Sequence, residues 1–214
     1  MRKIIFSLST ILFLTFTTNV WAQNIEIPAT REGDIIFQSL AGGQNYAIYL
    51  VSGSPYTHCG LITEQDGEFY VYEAVGPVKL TPLKAWIERG VDQHYVLMRL
   101  KDAEALLTQE ALTTMRESAA TFAGKPYDFW FLWSDDNIYC SELVWKVYQK
   151  ALDRELAPLR PFRDYDNVQH EEVMRIARER FNIPEIPWDE PAVTPADVLV
   201  SPLLETGAAN AKSC

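Results

Sequence analysis

The chain has 214 residues, 48% of them hydrophobic and 22% charged, with a formal net charge of −10. A chain of that length buries a sizeable core in one domain without disulfide staples. Its acidic balance, with no basic cluster, argues against nucleic acid and anionic lipid surfaces as partners.

Met1, Arg2 and Lys3 form a short basic n-region. Residues 4–17 are mostly apolar, and Val20-Trp21-Ala22 has the small-residue form of a cleavage site. The expectation is a signal peptide over residues 1–22 and a secreted protein, in the periplasm of a Gram-negative bacterium. The apolar run is too short and too often broken by Ser and Thr for a comfortable membrane span. No cysteine follows it, so no stable membrane anchor is expected. The folded domain is then residues 23–206, followed by a flexible Gly/Ala/Asn/Ser tail over 207–214. Three cysteines, Cys59, Cys140 and Cys214, leave at least one unpaired. A Cys59–Cys140 bridge stays open on sequence alone, and it would remove a nucleophile.

Residues 33–38 read as a first strand, ended by Ala41-Gly42-Gly43. Residues 44–51 fit a short helix, with an ambiguous period. After the turn cluster at 52–55, residues 56–63 and 68–75 read as a hairpin around Glu64-Gln65-Asp66-Gly67. A four-residue loop pairs Thr63 with Glu68 and sets His58 opposite Glu73. A two-residue Asp66-Gly67 turn moves the partner of His58 to Val75 and leaves Glu73 diagonal on the same face. A loop of three or five residues puts Glu73 on the other face. Thr81, Pro82 and Gly90 punctuate a helix as cap, first helical residue and terminator. Residues 93–100 read as a strand and 102–122 as one long amphipathic helix, stopped by Gly124-Lys125-Pro126. An aromatic connector, 127–133, leads to Asn137. Beyond Leu152 the pattern loosens: a loop at 158–162, a helix over 167–181, an extended Pro-rich stretch, and a short turn from Thr194.

The stretch Asn137-Ile138-Tyr139-Cys140-Ser141-Glu142-Leu143-Val144 starts a helix with a cysteine in its first turn. Asn137 is the expected cap. The free N–H groups and the positive end of the dipole favour a thiolate at Cys140. Leu143, Val144, Val147, Tyr148 and Ala151 form an apolar stripe that docks this helix. A small buried core cysteine is the alternative reading of the same position. A thiol hydrolase also needs a base, an orienter and an oxyanion hole. Of three histidines, His58 is the best base; His94 lies in a strand without an evident partner, and His170 lies in a polar helix. A carboxylate on one ring nitrogen fixes the tautomer and raises the imidazole pKa, and Glu73 is positioned to do so. Cys59 sits mid-strand, facing away from His58, and reads as a core residue. The histidines and cysteines have no metal-ligand spacing and there is no phosphate loop, so no metal and no cofactor is expected.

Gly124-Lys125-Pro126-Tyr127, the aromatic connector and Tyr139-Cys140-Ser141-Glu142-Leu143-Val144 resemble the nucleophile region of NlpC-like cell-wall cysteine peptidases. Here the histidine stretch Tyr56-Thr57-His58-Cys59-Gly60-Leu61 precedes the cysteine. That order, with Glu73-Ala74 and the Trp86-Ile87 helix after it, is similar to the circularly permuted papain-like amidases of the YaeF/YiiX type. The likeness spans residues 31–152, with a weaker echo at 193–204. It implies an α+β fold with the nucleophile helix packed against an antiparallel sheet, and a catalytic triad of Cys140, His58 and Glu73. It also implies a substrate-lining role for Tyr127. The implied substrate is a small peptide or amino-acid amide, of peptidoglycan type. A lipid acyl hydrolase or acyltransferase of the same fold, and a non-catalytic periplasmic binding protein, are the alternatives. Cys59 departs from the small aliphatic residue expected beside the histidine, which leaves redox control or inactivation open.

Overall fold

A computed structural model describes residues 27–165 and 170–210. The expected signal peptide, 1–22, lies outside the described residues. The architecture is α+β. Its centre is a six-stranded, fully antiparallel sheet. The strands are β1 (Ile35–Gln38), β2 (His58–Gln65), β3 (Glu68–Ala74), β4 (Val78–Pro82), β5 (Tyr95–Leu100) and β8 (Leu204–Ala209), in the order β4-β3-β2-β1-β5-β8. Two short strands, β6 (Arg160–Pro161) and β7 (Pro191–Ala192), pair separately.

The sheet is covered on both sides, which is why β1 is buried at every position and reads as a continuous apolar run. On one face, Ile36, Ile62 and Val71 pack against Leu83, Trp86 and Ile87 of α2 (Leu83–Arg89). On the other, Phe37, Cys59, Leu61 and Tyr72 meet α4 (Gln109–Thr121) and α5 (Cys140–Leu152). Leu143, Val144, Val147 and Tyr148 of α5 are buried there, as the helical stripe requires. Outside this core, α1 (Gly43–Ser52) and α6 (His170–Phe181) pack on each other, around Leu50, Val51, Val173 and Ile176.

Several boundaries differ from the sequence expectation, each for a local reason. The hairpin closes on the two-residue Asp66-Gly67 turn, both residues at positive φ, with Gln65 paired to Glu68. The expected long helix is two: α3 (Ala103–Leu106) and α4. Thr108 breaks it by capping α4, its hydroxyl accepting from Ala111 N–H at 3.2 Å. The break also turns Leu107 onto Gly33, where an added Cβ would lie 2.7 Å from Leu107 Cδ1. Asn137 is not the cap of α5. A parallel bridge of Tyr127 with Ile138 holds that segment extended, so the helix starts at Cys140 with Tyr139 as cap. Tyr139 N–H donates to Glu142 Oε2 at 3.3 Å. Thr81 caps nothing, because it belongs to β4, an unforeseen strand. β8 was also unforeseen and takes in residues 207–209 of the expected tail: β5 offers an open edge, and its backbone groups are satisfied by pairing there. A short helix, α7 (Pro195–Leu199), begins at Thr194, whose hydroxyl accepts from Asp197 N–H.

Candidate active site

The site forms where the start of β2 meets the start of α5. The Asp66-Gly67 turn sets the register Leu61↔Tyr72. Continued by one pair, that register puts Gly60 across from Glu73, and His58 diagonal to it on the same face. Gly60 has no room for a side chain: a Cβ there would stand 2.3 Å from Val71 Cγ1 and 2.9 Å from the Tyr72 carbonyl oxygen. The missing side chain lets Glu73 reach along the sheet to His58. His58 Nε2 and Glu73 Oε2 are 2.6 Å apart, and both residues are buried.

Glu73 is the most heavily bonded side chain of the site. Besides His58, it accepts from the Thr81 hydroxyl at 2.6 Å, Trp86 Nε1–H at 3.0 Å and the Arg89 guanidinium at 3.0 and 2.5 Å. Burial by itself would raise its pKa, but His58, Arg89 and Thr81 outweigh that and hold Glu73 at about 2. Trp86 also stacks on the His58 ring, with centroids 5.8 Å apart. The sequence names Thr81 only as a helix cap and Trp86 only within the family resemblance; their contacts with Glu73, and that of Arg89, are not evident in it. The one available signal was the i, i+3 spacing of Trp86 and Arg89, which puts them on one helical face.

Glu73 takes Nε2 of His58, and Cys140 stands close enough to the same imidazole for the two to shift each other's titration. Burial would lower the pKa of His58; Cys140 and Glu73 override it and lift His58 to about 9. For Cys140, the neighbouring Cys59 thiol is the largest influence and lowers the pKa. Burial opposes it, His58 adds to the lowering, and Cys140 is held well below the ordinary thiol range. Both shifts favour the thiolate–imidazolium form of the pair. Cys140 is the first residue of α5, so its own N–H lacks an acceptor one turn back and is available to an oxyanion.

Cys59 is a fully buried core residue, as expected. It does point away from His58, into the face covered by α5. But α5 carries Cys140, so Cys59 lies beside the nucleophile candidate. His58 reaches the same sulfur because it is the first residue of β2, at the rim of the sheet. Cys59 and Cys140 are both free thiols, so no bridge removes either. Tyr127 is buried near Cys140. Its ring is in the core, against Phe129 and Phe131, and it is not among the residues lining the cavity described next. Its neighbour Gln44 does line it. His94 stands just before β5, its Nε2 3.0 Å from the Tyr56 hydroxyl, away from this cluster.

From Cys140 a cavity of about 80 Å³ runs between α1, α6 and the aromatic connector. Its walls are almost wholly apolar, with Ile48, Phe131, Ile176, Phe181, Trp188 and Val193 among them. Two devices build it. The buried Asp128 carboxylate accepts from Trp130 N–H at 2.8 Å and Leu132 N–H at 2.7 Å, and this curls the connector with Phe131 at φ 54°. The segment at Val193 is tied to the start of α5: Ser141 donates to its carbonyl at 2.7 Å, and its N–H donates to the Tyr139 hydroxyl at 3.3 Å. Among the described residues, no helix is long and apolar enough to cross a membrane.

The family model for permuted papain-like amidase enzymes, YaeF/YiiX, matches residues 29–206. The uncharacterized protein YiiX of Escherichia coli is 39% identical over 186 residues, covering 85% of this chain and 90% of that protein. A crystal structure of YiiX from Escherichia coli, described as a metalloprotein, superposes with a TM-score of 0.77 at 40% identity. It covers 84% of this chain and 97% of that one. The fold is thus the permuted papain-like fold of YiiX.

Proposed function

The chain belongs to the permuted papain-like amidases of the YaeF/YiiX family, and on that premise we propose that it is a cysteine hydrolase that cleaves amide bonds. Cys140, His58 and Glu73 are the proposed catalytic residues. The observation that carries the reading is His58 bonded at 2.6 Å to a buried carboxylate and acted on by the neighbouring Cys140, which lines a cavity. The Cys140 thiolate attacks the carbonyl carbon, and the oxyanion accepts from Cys140 N–H. His58 gives its proton to the departing amine. It then takes one from the water that hydrolyses the thioester, and the thiolate returns. Glu73 keeps the ring oriented and charged.

We place the protein in the periplasm, where a signal peptide over 1–22 would send it. The substrate we propose is a small peptide or amino-acid amide of peptidoglycan type. The cavity adds a requirement: the group seated beside Cys140 is apolar. That observation favours a second reading, hydrolysis or transfer of an aliphatic acyl group. The related YiiX is described as a metalloprotein. Here, among the described residues, no three His, Cys, Asp or Glu side chains are grouped to hold a metal ion, and Glu73 engages His58 Nε2. That donor set does not fit a metal, and no step above uses one.

The test is a panel of muropeptides, amino-acid amides, N-acyl amino acids and phospholipid esters, given to wild type, Cys140→Ala and His58→Ala. Amine release by wild type alone is expected. Fatty-acid release without amine release would establish the second reading. No amine from any amide, or equal release by Cys140→Ala, would overturn the first.

A further inference from the structure

Cys59 touches the atom on which the proposed chemistry depends. Its thiol and its backbone N–H both lie close enough to the Cys140 sulfur to act on its charge. The two residues share one core cluster between β2 and α5, and both sulfurs are free. Cys140 lines the cavity; Cys59, fully buried behind it, does not. A small molecule that enters the cavity therefore meets Cys140 first. Burial pushes the Cys59 thiol well above its ordinary pKa, so it stays protonated while Cys140 is the thiolate. Oxidants select the thiolate, and a neighbouring thiol resolves the product.

We propose that Cys59 is the resolving thiol of Cys140: a hydroperoxide that enters the cavity oxidises Cys140, and Cys59 then closes a disulfide that shuts the site reversibly. The inference rests on the reading of Cys140 as a thiolate nucleophile. In the first step the Cys140 sulfur attacks one peroxide oxygen. An S–O bond forms and the O–O bond breaks. The departing hydroxide or alkoxide takes the proton of the His58 imidazolium and leaves as water or alcohol. Cys140 loses two electrons to the peroxide and becomes a sulfenic acid. In the second step the Cys59 sulfur attacks the Cys140 sulfur. The S–S bond forms, the S–O bond breaks, and the Cys59 proton leaves with the hydroxide as water. A dithiol reverses the second product by exchange.

The experiment uses the full chain carrying Cys214→Ser, so that two thiols remain. It is treated with hydrogen peroxide and read by intact mass, thiol counting and unreduced peptide mass spectrometry. Both thiols should disappear together, the mass should fall by two hydrogens, and a Cys59–Cys140 linked peptide should appear. Iodoacetamide labelling of Cys140 should be lost and then restored by dithiothreitol. With Cys59→Ser or Cys59→Ala added, Cys140 should instead gain two or three oxygens, beyond rescue by dithiothreitol. Cys140 that peroxide leaves untouched, or that gains oxygens as fast with Cys59 as without it, overturns the proposal. A protein that forms the bridge but cleaves no amide would sink the hydrolase reading alone. One that cleaves amides but over-oxidises would sink this inference alone.

Discussion

Replacing Glu73 by Gln keeps the shape of the side chain and removes its charge, so it isolates what the carboxylate does for His58. In the wild type, Glu73 accepts the His58 proton at 2.6 Å, and Cys140 and Glu73 lift the His58 pKa to about 9. A hydrogen bond to a charged group is worth about 1.5–3 kcal/mol. One pKa unit is about 1.4 kcal/mol, so the loss should lower the His58 midpoint by about one to two units. The chain has only three histidines. Their ring C–H signals can be followed by proton–carbon NMR across pH, with His58 assigned by its disappearance in His58→Gln. A Glu73→Gln midpoint equal to that of wild type would refute the reasoning, as would a wild-type midpoint near the unperturbed 6.5.

The same substitution has a stability signature whose signs are separate for the two groups. The folded pKa of Glu73 is depressed, about 2 against 4.5. Its contribution is present above 4.5 and is lost as pH falls toward 2; from that shift it amounts to about 3 kcal/mol at neutral pH. The folded pKa of His58 is raised. Its contribution is complete below 6.5 and is lost as pH rises through about 9. Urea unfolding should therefore show wild type losing stability on acidification toward 2, and Glu73→Gln, already weaker at neutral pH, losing much less over that range.

Gly60→Ala should push β3 away from β2 through Val71 and the Tyr72 carbonyl. Overpacking of this kind costs about 1–3 kcal/mol, so a lower Tm is expected together with a lower His58 midpoint; a changed Tm with an unmoved midpoint would show that Gly60 does not position Glu73. Burial pushes Glu142 to about 8 despite Lys146, whose Nζ lies 2.7 Å from Oε1 but out of line for a hydrogen bond. A raised acid contributes stability that is complete below 4.5 and is lost as pH rises through about 8. Gln cannot ionise, so Glu142→Gln should lack that loss, and denaturation midpoints of the two proteins should converge in its favour as pH rises; parallel pH profiles would count against a buried, titrating Glu142.

The site candidates were legible in the sequence where chemistry is local. A cysteine at a helix start, an apolar stripe behind it and a histidine in a hairpin strand each declare themselves within about ten residues, because helix and strand periods and free first-turn amides depend on near neighbours. The order histidine, glutamate, cysteine then pointed to the permuted family to which the chain belongs. Tertiary structure decided what depends on contacts between distant segments. The turn at Asp66-Gly67 chose among registers that the sequence left open. The bridge at Ile138 moved the helix cap from Asn137 to Tyr139, and β5 recruited β8 from an expected tail. Packing also turned Thr81 from a cap into a partner of Glu73 and emptied an apolar cavity beside Cys140. It placed Cys59 against Cys140, since a residue's face within its strand is set by alternation, but what covers that face is set by which helix folds over it.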